Sequence, residues 1–314
     1  MDRPLHLTNR FRLAASLALL AVVLWWLEPS ALATAFAAPQ PAWLALALAL
    51  SVPQILLSAW RWQLTAARLG APLGFARAVR EYYLATFLNQ VLPGGVMGDA
   101  ARAWRHGRDA GSGAASTLAA WQAVVLERAS GQAALLTVVL ATLLLSPTVR
   151  ALPERLSSTP AGGVAMPMLA LAALVLLAGV LGAGRVRNLL RRFAGAAGHA
   201  LLAREVVLRQ LLASWLIIAS YVGIYLCCMR MIGIGTPVAD AAPLVPWVLL
   251  AMAIPLSVAG WGIREGAAAL VWHAAGLNPA EGVAISVSYG LVVLLSSLPG
   301  ALALRAPAGM ARTH

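Results

Sequence analysis

Three pairs of ionisable residues carry most of the chemistry that this sequence offers: Asp99 with Arg102, Glu127 with Arg128, and Arg264 with Glu265. All three lie in or beside apolar runs. Charged groups at membrane depth are costly and mark substrate or ion pathways. A guanidinium there can grip an anionic headgroup, and a carboxylate can tune that arginine or carry a proton. In "NQVLPGGVMGDAARAWRH", residues 89–106, an apolar run breaks at Pro93-Gly94-Gly95 and Gly98 just before Asp99. Asp99 suits two roles: N-cap of a helix over 100–108, or half of a headgroup site at that helix's N-terminus with Arg102 as direct partner. Glu265 has the same two options, in the first turn of a helix running through Ala275 with Arg264 beside it. Glu127 and Arg128 are neighbours in "WQAVVLERASGQAALLTVVL". Neighbours on a helix do not face each other, so each needs a partner elsewhere, expected in the two broken stretches. A buried structural pair is the plain alternative. Glu81, just after Arg77 and Arg80, reads as a solvated or snorkelling charge.

The elements that must position these residues belong in a bilayer. Of 314 residues, 61% are hydrophobic and 11% charged, against about half and about a quarter in soluble domains. All 23 Lys/Arg residues are arginine. That excludes a lysine Schiff base and a Walker A phosphate loop, so ATP-driven activity would need another subunit. The net charge of +12 sits in connections between apolar runs, which suits cytoplasmic loops and anionic lipid rather than nucleic acid. Cys227 and Cys228 are adjacent in an apolar run and read as small core residues. The five histidines have no metal-ligand spacing, and there is no G-x-S-x-G elbow. We therefore expect no catalytic residue, metal or cofactor, and no enzymatic activity. Trp104, Trp121, Trp215, Trp247 and Trp272 suit interfacial anchoring, and His273 a packed role.

The expected fold is an all-α integral membrane protein forming one polytopic unit over residues 1–314. Spans are expected at 11–28, 42–60, 114–145, 163–183, 210–232 and 281–304, since about 20 apolar residues cross the hydrocarbon core. The first is expected to be retained rather than cleaved, because Trp25-Trp26 resembles an aromatic belt. Arg3, Arg10 and Arg12 place the N-terminus in the cytoplasm, Arg305 and Arg312 the C-terminus, and Arg61, Arg68, Arg77 and Arg80 the second connection. Arg102, Arg105 and Arg108 also prefer the cytoplasm, so the stretch between cannot cross. A re-entrant hairpin over about 78–108 satisfies both sides, and a second over about 244–276 would enter from outside. Opposite entry is the arrangement of an inverted repeat. Residues 185–204 fit an amphipathic helix in the inner interface, or equally a basic loop.

Three segments taken in order, "FLNQVLPGGVMGDAARAWRHGRDAG", "AVVLERASG" and "IPLSVAGWGIREGAAALVWHAAGLNPAEGVAISV", resemble the lysylphosphatidylglycerol synthase transmembrane region family. Asn89, Pro93, Gly94, Gly98, Asp99 and Arg102 match its first motif. Glu127 and Arg128 match its second, where an Asp is commoner at the first place, and Gly260, Gly262, Arg264, Glu265 and Gly266 match its third. The resemblance covers nearly the whole chain and implies paired re-entrant helices that move a lipid or lipid-linked headgroup between leaflets. The synthase's aminoacyl-transferase domain is not expected in a chain ending at His314, so lysyl-lipid synthesis is not either.

The function expected is therefore a flippase-type lipid transporter of the bacterial inner membrane. Asn89, Gly94, Gly98, Asp99, Arg102, Glu127, Arg128, Arg264 and Glu265 would form its headgroup site, with Arg102, Arg128 and Arg264 in direct contact. Arg102→Ala or Arg264→Ala would then stop lipid movement in a folded protein. Its partners would be membrane lipids, anionic or polyprenyl-phosphate-linked, with a lipid-modifying enzyme as a possible associate. The alternative is a non-catalytic membrane partner of a glycosyltransferase or lipid-synthesis enzyme.

Overall fold

The computed structural model describes residues 39–92, 95–109, 114–157, 193–252 and 260–303. Every regular element among them is a helix. The principal ones are α1 (Pro41–Arg68), α2 (Phe75–Val91), α3 (Met97–Asp109), α4 (Ala114–Leu145), α5 (Val207–Met231), α6 (Val245–Ala251), α7 (Ile263–Ala274) and α8 (Pro279–Ser297). Four of the described helices are long and apolar enough to cross a membrane: α1, α4, α5, and α8 with its continuation to Leu302. They correspond to the spans expected at 42–60, 114–145, 210–232 and 281–304. The spans expected at 11–28 and 163–183 lie outside the described residues. So does residues 185–192 of the amphipathic segment, while 193–200 are helical.

The two interrupted stretches form helices on either side of a break. The first is α2, a break, then α3; the second is α6, a break, then α7. Gly95 in the first break has φ +62°, and Gly260 and Gly262 in the second have φ +83° and +84°. Side chains other than glycine rarely tolerate such backbone, so these positions fix where the chain turns. At the close of the first break, Asn89 Oδ1 accepts from the Gly98 N–H at 2.7 Å.

α5 lies along α1, α2 packs on α3, and α7 packs on α8. Two apolar cores result. Ile55, Ala59, Trp62 and Ala66 of α1 join Ala78 and Tyr82 of α2, Ala103 of α3, and Ala123 and Val124 of α4. Ala47 of α1 and Ala134, Leu135 and Val139 of α4 join Ile224, Tyr225, Cys228 and Met229 of α5, Val248 of α6, Trp272 of α7 and Ile285 of α8. α1 and α4 thus give one half to each core, and both cysteines are buried and free. Trp272 is fully buried and His273 is exposed, which corrects both expectations. Trp272 belongs to the core because α7 turns it onto Tyr225, ring centroids 6.0 Å apart.

Gly98 is a packing residue. A Cβ there would overlap the Ala85 backbone carbonyl of α2, an atom that cannot move aside. We expect Gly98→Ala to separate α2 from α3 and to cost about 1–3 kcal/mol or more, read as a lowered unfolding midpoint in detergent.

Candidate headgroup site

Polar residues form a stripe along α1. Ser51, Gln54, Ser58, Arg61 and Thr65 recur every three or four positions, and all are buried. This spacing puts them on one helix face. α5 answers with Gln210 and Ser214: Gln210 Nε2 donates to Thr65 Oγ1 at 3.0 Å, and Arg61 Nη1 to Ser214 Oγ at 2.6 Å. α4 passes on the other side, and Gly131 makes room for Arg61 there, since a Cβ would come 3.0 Å from Nη2.

At the centre stands Glu127, fully buried. Its Oε1 accepts from Arg61 Nη2 at 2.5 Å and its Oε2 from Arg102 Nη2 at 2.7 Å. Asp99 lies next to it. Its Oδ1 accepts from Arg102 Nε at 2.9 Å, and its Oδ2 meets Arg128 Nη2 at 2.6 Å and the Asn89 amide at 3.0 Å. Arg102 is held on its faces as well, with its guanidinium carbon 4.8 Å from the Trp62 ring and 4.6 Å from the Tyr82 ring. A charge stacked and bonded in this way is a fixed part of the wall. Five charged side chains from α1, α3 and α4 therefore form one network.

The network borders a cavity of about 240 Å³ enclosed by α1, α2, α4, α5 and α8. Gln54, Ser58, Arg61, Arg128, Gln132 and Tyr221 give it polar lining, and Gly95 and Gly260 bring both breaks to it. The Arg128 side chain is 42% exposed, whereas those of Arg61 and Arg102 are 5% and 0%. Arg128 is the cluster's accessible cation.

A second, smaller network sits at the start of α7. Glu265 Oε2 accepts the Gly262 N–H at 2.6 Å, so it caps the helix. Its Oε1 accepts from Arg264 Nη2 at 2.7 Å, and Arg264 Nε donates to Ser286 Oγ at 2.9 Å. Arg264 and Glu265 are fully buried. The Arg264 guanidinium carbon lies 4.9 Å from the Trp261 ring and 5.4 Å from the Tyr289 ring, much as Arg102 is stacked.

The structure brings together Asn89, Gly98, Asp99, Arg102, Glu127 and Arg128. It keeps Arg264 and Glu265 in their own network, and neither lines the cavity. Gly94 lies outside the described residues. Asp99 is not an N-cap: α3 begins at Met97, which leaves Asp99 inside the first turn, and Asn89 takes the capping role. The partners of Glu127 and Arg128 come from the first broken segment and from Arg61, and none comes from the second. Arg61 is in α1 rather than in a connection, because α1 runs to Arg68. Glu81 is buried instead of solvated, with Arg105 Nε 2.6 Å from its Oε2. The signal for Arg61 was present in the sequence, since it falls in register with Ser51, Gln54 and Ser58 on α1.

No curated protein matches the chain. The profile described as "Lysylphosphatidylglycerol synthase TM region" matches residues 13–300, taking in α1 to α8 and all three motif regions. With its apolar helices this makes the chain a multi-pass membrane protein, and it belongs to the lysylphosphatidylglycerol synthase TM region family.

Proposed function

We propose that the protein is a flippase-type transporter of the bacterial inner membrane, with both termini in the cytoplasm, that passes a lipid headgroup through the central cavity while the acyl chains stay in the bilayer. The observation that carries this reading is the polar cavity itself, enclosed by apolar helices and met by both helix breaks. Irregular backbone at membrane depth is tolerated where it is buried in protein or lines a wet space. The breaks at Gly95 and Gly260 have that setting.

In this reading α2 and α3 form a hairpin that enters and leaves on the cytoplasmic side, and α6 and α7 form its counterpart from outside. Arg102 and Arg264 support an inverted-repeat relation, because each lies in the N-terminal half of a returning helix, bonds a nearby carboxylate and stacks on two aromatic rings. Rocking of one hairpin against the other would open the cavity to each leaflet in turn. The chain acts as a carrier without catalysing a reaction.

The reading is tested with a lipid carrying a photoactivatable group on its headgroup, cross-linked in vesicles and mapped by mass spectrometry. Labelling of Ser58, Gln132 and Tyr221 is the expected result. Labelling confined to outward-facing residues such as Leu140 and Leu144, 56% and 72% exposed, would overturn it.

A further inference from the structure

We propose that the headgroup taken by this site bears one negatively charged phosphate and no positive charge, and that Arg128 anchors it. This rests on the reading of the cavity as a headgroup path and names the substrate class. The cluster contains three guanidiniums, Arg61, Arg102 and Arg128, against two carboxylates, Asp99 and Glu127, so as ionised groups it carries one net positive charge. An uncompensated charge at membrane depth is costly, and a bound anion of unit charge relieves it.

The hydrogen-bond inventory points the same way. All four carboxylate oxygens of the cluster already meet a guanidinium nitrogen. On the donor side, Arg61 Nε, Arg102 Nη1 and Arg128 Nε have no acceptor among the described residues. Arg61 and Arg128, which line the cavity, therefore have donors to spare, while the unused acceptor there, Gln90 Oε1, is uncharged and no free carboxylate among the described residues waits for an ammonium group. Glu127 is the one carboxylate among the described residues that line the cavity, and it is taken twice over. A lipid with an aminoacyl headgroup would bring its ammonium to a site already positive.

Arg128 is the anchor by access. It is the cluster's most exposed guanidinium, its one ion pair among the described residues runs through Nη2 to Asp99, and it lines the cavity. A guanidinium binds phosphate oxygens through paired N–H groups. Gln54, Gln132 and Tyr221, also lining the cavity, provide uncharged polar contacts for the rest of the headgroup.

The test measures binding to the full chain in an uncharged detergent, by thermal shift and native mass spectrometry. The probes are phosphatidylglycerol, diacylglycerol, lysyl-phosphatidylglycerol and inorganic phosphate. Phosphatidylglycerol should bind roughly tenfold or more tightly than diacylglycerol or the lysyl lipid, the size of one charge-assisted contact. Inorganic phosphate at the same concentration should give no shift. Arg128→Gln should erase the preference and Arg128→Lys should retain part of it. Gln132→Glu places a carboxylate one helical turn from Arg128 on the cavity wall. It should weaken phosphatidylglycerol and favour the lysyl lipid, and being at an exposed position it carries the test if Arg128→Gln does not fold.

Equal or tighter binding of the lysyl lipid to the unmodified chain would overturn the proposal. So would an unchanged preference in Arg128→Gln or Gln132→Glu, or inorganic phosphate binding as well as the lipid. Transport of every headgroup at one rate would remove this inference and leave the transporter reading standing. A headgroup preference without transport would do the reverse.

Discussion

Glu127→Gln is expected to destabilise the folded protein by about 3–5 kcal/mol, the scale for removing one partner from a buried charge pair. Among the described residues, Glu127 is the sole carboxylate bonded to Arg61 and one of two bonded to Arg102, and both arginines are buried. Its loss raises the net charge of the cluster from one to two. The amide keeps one acceptor oxygen where two guanidiniums now bond. Unfolding in a denaturant titration of the detergent-solubilised chain measures the effect. Glu205→Gln is the control, since that carboxylate is 79% exposed and pairs with Arg68 at the surface; a change below about 1 kcal/mol is expected there. Adding Arg61→Met to Glu127→Gln returns the charge to one and should recover part of the loss, a coupling between residues in contact.

Arg264→Ala should be comparably damaging, at about 3–5 kcal/mol, and through the fold rather than through the headgroup. It leaves the fully buried Glu265 with the Gly262 N–H and Ser286 but no counter-charge. It also empties the space between the Trp261 and Tyr289 rings. Gly290→Ala probes the same site from the other side, because a Cβ there would overlap the Arg264 guanidinium and come 2.9 Å from the Trp261 ring. The unfolding midpoint should fall in both variants. A folded, stable Arg264→Ala protein that has lost lipid movement alone would instead return Arg264 to direct headgroup contact, as the motif by itself suggested.

Much of this arrangement was legible in the sequence. Apolar runs gave the four described spans, and Gly-rich breaks before Asp99 and Arg264 gave the two interrupted segments. The rule that neighbours on a helix face apart correctly required distant partners for Glu127 and Arg128, which proved to be Arg61, Arg102 and Asp99. The same rule does not extend to Arg264 and Glu265. They lie in a first helical turn, where a long arginine can fold back onto a carboxylate that is capping the free backbone amide.

What stayed hidden followed from treating arginine as a loop marker. Arg61 and Glu81 resemble solvated charges in a run of basic residues, and only packing shows that one bonds Glu127 and the other Arg105. Composition also cannot tell a wall arginine from a cavity arginine. Arg102, Arg128 and Arg264 have equivalent motif status, yet aromatic stacking fixes two of them inside protein and leaves Arg128 facing the cavity. Gly98 has the signature of a ligand contact but closes α3 against α2, and Asn89 bonds the Gly98 N–H while also lining the cavity.

The most direct measurement is transbilayer movement of a fluorescent phosphatidylglycerol in vesicles holding the purified chain, followed as loss of signal to a reductant that cannot cross the membrane. Wild-type protein should expose the inner-leaflet lipid as well as the outer. An equal amount of folded Arg128→Gln should expose only the outer-leaflet share. Wild-type vesicles that behave like protein-free ones, or Arg128→Gln vesicles that match wild type, would contradict headgroup passage over Arg128.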